Sequence, residues 1–332
     1  MALDKISFLG CGSWGAALGR VLSDKHRKIT FWHRNQDIVD KIADSRKHYL
    51  LPEINFPSHV NFTHKISDAI KHANIIVLAI PSHAIRKIIH DNKSDFNDDQ
   101  IIVNIAKGIE VGTLMTVSEV FKDALENDCR RFVTLTGPSH AEEVIRKDPT
   151  MLVAGSNDME TAEKIQKTFS TNMLRIYLNE DLKGVELGGS MKNVIAIAAG
   201  ICDGIGYGDN SKSALITRSM AEITKLGIAM GAKEKTFRGL SGFGDLIVTC
   251  LSKYSRNRML GQSIGEGNSL EKIISKMNMI AEGVHTAKAV HQLRIKYQVE
   301  MPIHEAIYQV LFEGSNPKRS VVELMNRRLS GE

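Results

Sequence analysis

The chain has 332 residues, enough for about two domains of ordinary size, and its 42% hydrophobic and 24% charged content is that of a globular protein. With 43 Lys and Arg against 38 Asp and Glu, the net charge of +5 favours anionic ligands but is too mild and dispersed for a nucleic-acid binder. No window offers the roughly 18 uninterrupted apolar residues of a membrane span, and residues 1–10 lack the features of a secretory signal, so a cytoplasmic location is expected.

In chain order, short apolar runs at Ile6–Leu9, Ile29–Trp32, Ile75–Ile80, Ile101–Ile105 and Phe132–Leu135 alternate with amphipathic stretches. Such alternation predicts βαβ units and a doubly wound parallel sheet covered on both faces. Met151–Ala154 and Leu174–Tyr177 are candidates to extend it. After about Asp181 the strand-like runs stop and helical periodicity takes over, which predicts an α/β domain over residues 1–184 and an all-α domain over 185–332. Cys11, Cys129, Cys202 and Cys250 are far apart and show no zinc spacing, so they are expected to be reduced and buried, with Cys11 open to oxidation in its Gly-rich turn. No metal site is expected.

The first strand runs into Gly10-Cys11-Gly12-Ser13-Trp14-Gly15 and then a helical pattern. This is the strand, G-x-G-x-x-G, helix arrangement that holds a dinucleotide pyrophosphate: Gly10 for the tight turn, Gly12 for close backbone approach, Gly15 for helix–strand packing. After the second strand comes His33-Arg34-Asn35, where an NAD-specific site usually carries an acid. Arg34 can pair with an adenosine 2′-phosphate instead, favouring NADPH, or can be a plain surface charge; His33 reads as a stacking residue. Ligands of such sheets lie beyond the strands' carboxyl ends, where Lys107 and the segment Thr136-Gly137-Pro138-Ser139-His140-Ala141 fall. Ser139 is alternatively a helix N-cap.

Leu187–Ile201 is an apolar helical stretch whose sole charge is Lys192. Burying that ammonium is expensive, and a desolvated lysine is a workable proton donor or acceptor near neutral pH, unless it snorkels to the surface. Asn193 beside it can orient a carbonyl or hydroxyl, and acids of the following Gly-rich turn, Cys202–Asn210, can serve as caps. Downstream, Asp245 offers a partner for Lys192, and Ser255-Arg256-Asn257-Arg258 offers planar cations for a substrate phosphate, or a surface cluster.

The blocks GCGSWGAALG at 10–19, WHRN at 32–35, AKG at 106–108, TGPSHAEEV at 136–144, GGSMKNVIAIAAGICDGIGYGDN at 188–210, GLSGFGDLIVTC at 239–250, SRNR at 255–258 and AEG at 281–283 resemble, in order, the bacterial NAD(P)-dependent glycerol-3-phosphate dehydrogenases. The resemblance implies a Rossmann domain followed by a helical domain, and reversible reduction of dihydroxyacetone phosphate to sn-glycerol 3-phosphate for phospholipid synthesis. It implies Lys192 as the proton-transfer residue, with Lys107, Gly137, Ser139, Asp245, Ser255, Arg256 and Asn257 around the substrate and Arg256 and Asn257 on its phosphate. Ser13, Trp14, His33, Arg34, Lys107, Ala141, Arg256, Ile280 and Glu282 would touch NADPH or NADH, and a homodimer is implied. Met191 and Ser190 depart from the more usual residues beside the lysine. A related phosphorylated-hydroxyacid dehydrogenase and a non-catalytic NADPH sensor are the alternatives; the sensor has no need of an isolated lysine in an apolar helix.

Overall fold

In a computed structural model, described for residues 4–26, 28–127, 131–275, 277 and 281–328, the chain divides into two units, Met1–Lys107 with Met115–Glu186, and Gly108–Leu114 with Leu187–Glu332. The main division follows Glu186, close to the boundary drawn after residue 184. Gly108–Leu114 joins the helical unit because Ile109 is buried in that unit's hydrophobic core.

Among the described residues the first unit is built on eight strands, β1 (Lys5–Leu9), β2 (Lys28–Trp32), β3 (Val60–Thr63), β4 (Ile75–Leu78), β5 (Ile101–Asn104), β6 (Phe132–Thr136), β7 (Thr150–Gly155) and β8 (Leu174–Asn179). Their order is 3-2-1-4-5-6-7-8. Strands β1 to β6 are parallel in the doubly wound order, whereas β7 runs antiparallel to β6, with Leu135 opposite Ala154, and β8 runs parallel to β7. The doubly wound parallel sheet expected is thus found through β6, and the two candidate strands extend it at an edge whose first strand is reversed. Between β6 and β7 the chain makes only a five-residue helix, shorter than the crossover a parallel return needs. Strand β3 is not foreshadowed by an apolar run: Val60 alone is fully buried and Asn61 faces water.

Among the described residues the α-helices that accompany the sheet are α1 (Ser13–Leu22), α2 (Gln36–Ser45), α3 (Ile66–Lys71), α4 (Ser82–Asp91), α5 (Val117–Leu125), α6 (Ala141–Ile145) and α7 (Met159–Phe169). Alternate strand residues feed two separate cores. Phe8, Ile75 and Val77 pack with α1 residues Ala17 and Leu18, while Leu9, Ile76 and Leu78 join Ile85 of α4 and Phe121 of α5. Burial on both faces explains why these strands read as continuous apolar runs.

The second unit's named elements are helical. Helix α8 spans Leu182–Ile205, its first residues belonging to the first unit; then come α9 (Asp209–Ala229), α10 (Glu234–Phe237), a π turn over Leu240–Gly244, α11 (Asp245–Leu251), α12 (Arg256–Gly265), α13 (Leu270–Ile274), α14 (Glu282–Lys296), α15 (Pro302–Phe312) and α16 (Pro317–Met325). By length and hydropathy α8 could cross a membrane, yet its most apolar window is 100% buried within the protein, which is what a central core helix requires. Gly200 of α8 and Gly261 of α12 let two backbones meet: a Cβ on either would lie 1.9 Å from a carbonyl oxygen of the facing helix, Arg258 or Ile197. Asp203 is no cap. It lies within the last turns of α8 and pairs with Lys212 of α9 and, at 2.6 Å, with Arg258 of α12.

Candidate active site

In the first unit, Gly10 leaves β1 at φ +117°, and Gly12 is the N-cap of α1. A Cβ on Gly10 or Gly15 would lie 2.4 Å or 2.7 Å from atoms of Ala79, beyond the end of β4, so strand and helix could not pack as they do. A Cβ on Gly12 would meet nothing within 4 Å. The turn thus offers open space beside the helix N-terminus, where orphan N–H groups and the helix dipole favour a phosphate. Ser13 and Trp14, both partly exposed, open α1. Cys11 is 2% exposed and burial pushes its thiol up to about 12, so the expected susceptibility to oxidation is corrected: the thiolate is not accessible.

His33 follows β2 directly, its ring edge-on to Tyr49 at 5.8 Å, and burial holds its imidazole below the ordinary value, favouring the neutral form. Arg34 beside it is exposed. At the ends of β5 and β6, Lys107, Gly137 and Ser139 come together: the Lys107 ammonium and the Ser139 hydroxyl both donate to the Gly137 carbonyl, at 3.5 Å and 2.9 Å. Gly137 has φ +147°, strained for other residues. The N-cap of α6 is His140, not Ser139, and Ala141 is the first residue of that helix.

In the second unit, Lys192 is 5% exposed, and its Nζ lies 2.5 Å from Asp245 Oδ1. Asp245, 1% exposed, opens α11. Close approach is possible because Gly188, on α8 before the lysine, has no Cβ to strike the Ser241 carbonyl of the π turn, 2.9 Å from where one would be. Thr249, one turn further along α11, donates its hydroxyl proton to the Asp245 carbonyl at 2.6 Å and accepts from the lysine. The alternative of a lysine that snorkels is thereby removed. A carboxylate and a hydroxyl lone pair stabilise the buried ammonium, which remains able to give a proton to an oxygen placed against it.

Asn193 faces another way. Its Oδ1 accepts from Asn257 Nδ2 at 3.1 Å, while Asn257 Oδ1 accepts the Gly283 N–H at 2.9 Å. One buried amide therefore joins α8, α12 and the N-terminus of α14. Ser255 caps α12 by accepting the Arg258 N–H, so both residues hold the helix framework as found. Arg256 is exposed at the start of α12, whereas Arg258 turns to Asp203, splitting the expected cationic cluster. Glu282 opens α14; Ile280 lies outside the described residues.

Three buried polar residues escaped the reading of the sequence. Thr249 shares a helix face with Asp245 at the i, i+4 spacing, a signal that was available. Glu186 is an acid within an otherwise apolar stretch; it accepts from the Ser118 N–H at 2.9 Å, Ser118 Oγ at 2.6 Å and Thr134 Oγ1 at 3.0 Å. His48 is the third, and nothing in its spacing marks it.

A doubly wound sheet with a Gly-rich first turn, together with a helical unit enclosing a lysine–carboxylate pair, defines a dinucleotide-dependent oxidoreductase. Residues 5–162 match the N-terminal model, and residues 181–322 the C-terminal model, of NAD-dependent glycerol-3-phosphate dehydrogenase. The chain is 48% identical over 326 residues to glycerol-3-phosphate dehydrogenase [NAD(P)+] of Clostridium perfringens, covering 98% of each, and 46% identical to that of a Thermoanaerobacter species, covering 97% of each. A crystal structure of glycerol-3-phosphate dehydrogenase from Coxiella burnetii superposes with a TM-score of 0.93 at 32% identity, over 98% of this chain and 99% of that one. The chain belongs to the NAD-dependent glycerol-3-phosphate dehydrogenase family.

Proposed function

We propose that the protein catalyses the reversible reduction of dihydroxyacetone phosphate to sn-glycerol 3-phosphate with NADPH or NADH. The observation that carries this reading, beside family membership, is the buried Lys192–Asp245 pair, a lysine and a carboxylate 2.5 Å apart in an apolar setting. The Gly10–Gly15 turn, Ser13, Trp14, His33, Arg34, Lys107, Ala141, Arg256 and Glu282 are assigned to the dinucleotide, whose nicotinamide, when bound, supplies the hydride for the carbonyl carbon. Lys192 gives its Nζ proton to the carbonyl oxygen as charge develops there, and takes it back in the oxidation of the alcohol. Asp245 and Thr249 keep the ammonium in place. Lys107, Gly137, Ser139, Ser255, Arg256 and Asn257 are assigned to the substrate, with Arg256 the cation for its phosphate and Asn257 beside it.

Residues 1–184 are accordingly read as the cofactor domain and 185–332 as the substrate domain. A cytoplasmic homodimer feeding glycerophospholipid synthesis is the form and role that the family resemblance supports. Absorbance-monitored oxidation of NADPH and NADH with dihydroxyacetone phosphate tests the reading. Turnover is expected in the wild type, with kcat lower by on the order of 10² or more in Lys192→Met, the usual loss for an acid–base group. Cofactor binding with no turnover would overturn it.

A further inference from the structure

We propose that His48 is a positioning residue for the pyrophosphate end of the dinucleotide site, holding the Cys11 carbonyl so that the Gly12 N–H is presented to the phosphates. The inference rests on the assignment of the cofactor to the Gly10–Gly15 turn and extends that site by a residue 37 positions away in sequence.

His48 is 1% exposed. Its Nδ1 accepts two backbone N–H groups, from Leu50 at 3.3 Å and Leu51 at 3.1 Å. A nitrogen that accepts cannot carry the proton, so the tautomer is fixed and Nε2–H is the donor. Nε2 lies 2.9 Å from the Cys11 carbonyl oxygen. Burial also keeps this imidazole below its ordinary value, favouring the neutral form that the two accepted bonds require.

The consequence follows from peptide geometry. In a trans peptide the C=O and the next residue's N–H point to opposite sides, and no cis bond occurs among the described residues. Fixing the Cys11 oxygen against His48, on the buried side of the turn, therefore aims the Gly12 N–H away from the core. Gly12 is the α1 N-cap with open space beside it. The segment carrying His48 is itself held: Lys47 bridges Asn55, the His48 N–H donates to the Ile54 carbonyl at 3.1 Å, and Ile54 and Phe56 are buried. The imidazole also stands 4.8 Å from the ring of Tyr49, whose other neighbour is His33. One aromatic row thus runs from the phosphate turn to His33, which is itself assigned to the dinucleotide.

The test measures dissociation constants of NADPH and NADH by quenching of protein fluorescence, without substrate, beside the unliganded melting temperature of each variant. In His48→Met the Cys11 carbonyl loses its donor, and Kd for both cofactors should rise roughly 10-fold. In His48→Gln the amide can donate to Cys11 and accept from Leu51, and Kd should return to within about 3-fold of wild type. The KM for dihydroxyacetone phosphate at saturating cofactor should stay unchanged in both. If His48→Met does not fold, His48→Asn, polar but too short to span both partners, takes its place with the same expected loss. A folded Met or Asn variant with wild-type Kd overturns the inference, as does a Gln variant as weak as Met. Gly12→Val is the control for the underlying assignment: unchanged affinity there refutes the turn as the cofactor site, whereas lost affinity there with none lost at His48 refutes only the positioning role.

Discussion

Lys192 and Asp245 meet 2.5 Å apart, both almost wholly removed from water. Removing one partner of such a pair leaves the other charge buried and uncompensated, at about 3–5 kcal/mol. Asp245→Asn should therefore lower both stability and kcat. Replacing both partners by apolar residues, as in Lys192→Met with Asp245→Leu, should restore much of the stability and none of the activity. Denaturant titration beside steady-state kinetics checks this, and a double variant no more stable than Asp245→Asn would count against the pair's burial.

The contact of α8 with α12 depends on glycines whose Cβ positions are already taken by facing carbonyls. Gly261→Ala should cost about 1–3 kcal/mol or more by overpacking. Gly208, where a Cβ meets nothing within 4 Å, provides the comparison. Gly208 is the exposed N-cap of α9, where alanine gives up only a capping preference, so its variant should cost about 1 kcal/mol or less. Equal losses at the two positions would mean that the helices are less tightly apposed.

Glu186 is wholly buried, and desolvation pushes its carboxyl above the usual 4.5, opposed in part by the hydroxyl and amide donors of Ser118, Thr116 and Thr134. For an acid with a raised folded-state value, the contribution to stability is full below the unfolded pKa and is lost as pH rises through the folded one. Wild type should thus lose stability relative to Glu186→Gln as pH increases from about 4.5 toward neutrality. Melting curves of the two proteins across that range should diverge in the variant's favour; parallel profiles would show that Glu186 titrates normally.

Arg34 is exposed directly after β2, where it can reach an adenosine 2′-phosphate. Loss of such a charge-assisted contact is worth about 1.5–3 kcal/mol, so Arg34→Ala should raise the KM for NADPH roughly 10- to 100-fold with little effect on NADH. Equal effects on the two cofactors would place Arg34 elsewhere.

Burial pushes the Cys11 and Cys250 thiols up to about 12. Thiolate, the reactive form, is then about one part in 10⁴ at pH 8. Iodoacetamide followed by peptide mass mapping should find both unmodified in native protein and modified after denaturation. Native alkylation of Cys11 would contradict its burial beneath the Gly-rich turn.

How much of this was legible in the sequence follows from the range of each interaction. Strands sandwiched between helices announce themselves through continuous apolar runs, so seven of the eight were legible from residues such as Ile75–Leu78. The edge strand β3 is four residues long with Val60 alone fully buried, too little for a pattern, and the reversed direction of β7 is a property of the connection rather than of the strand. Lys192 stood out because an ammonium in an apolar helix demands a partner, and Asp245 was the carboxylate chemistry suggested. The resemblance places Asn257 on the substrate phosphate and Ser255 beside the substrate, yet each also secures a helix terminus, since an amide or hydroxyl says nothing about which partner lies across the fold. His48 was invisible for the same reason: its importance lies in one carbonyl far away along the chain.

The apolar length of α8 bears on how the polypeptide reaches its native state. Most of the apolar residues that share this helix's core, among them Leu260, Val284, Val290 and Ile307, lie later in the chain. During synthesis from the N-terminus, α8 leaves the ribosome before its cover exists, and a nascent chain stopped near residue 255 would display a sticky, membrane-like segment to the surrounding solution. The last third of the sequence is therefore a built-in shelter for the helix that carries Lys192, and premature termination anywhere within it should yield aggregates rather than a weakened enzyme.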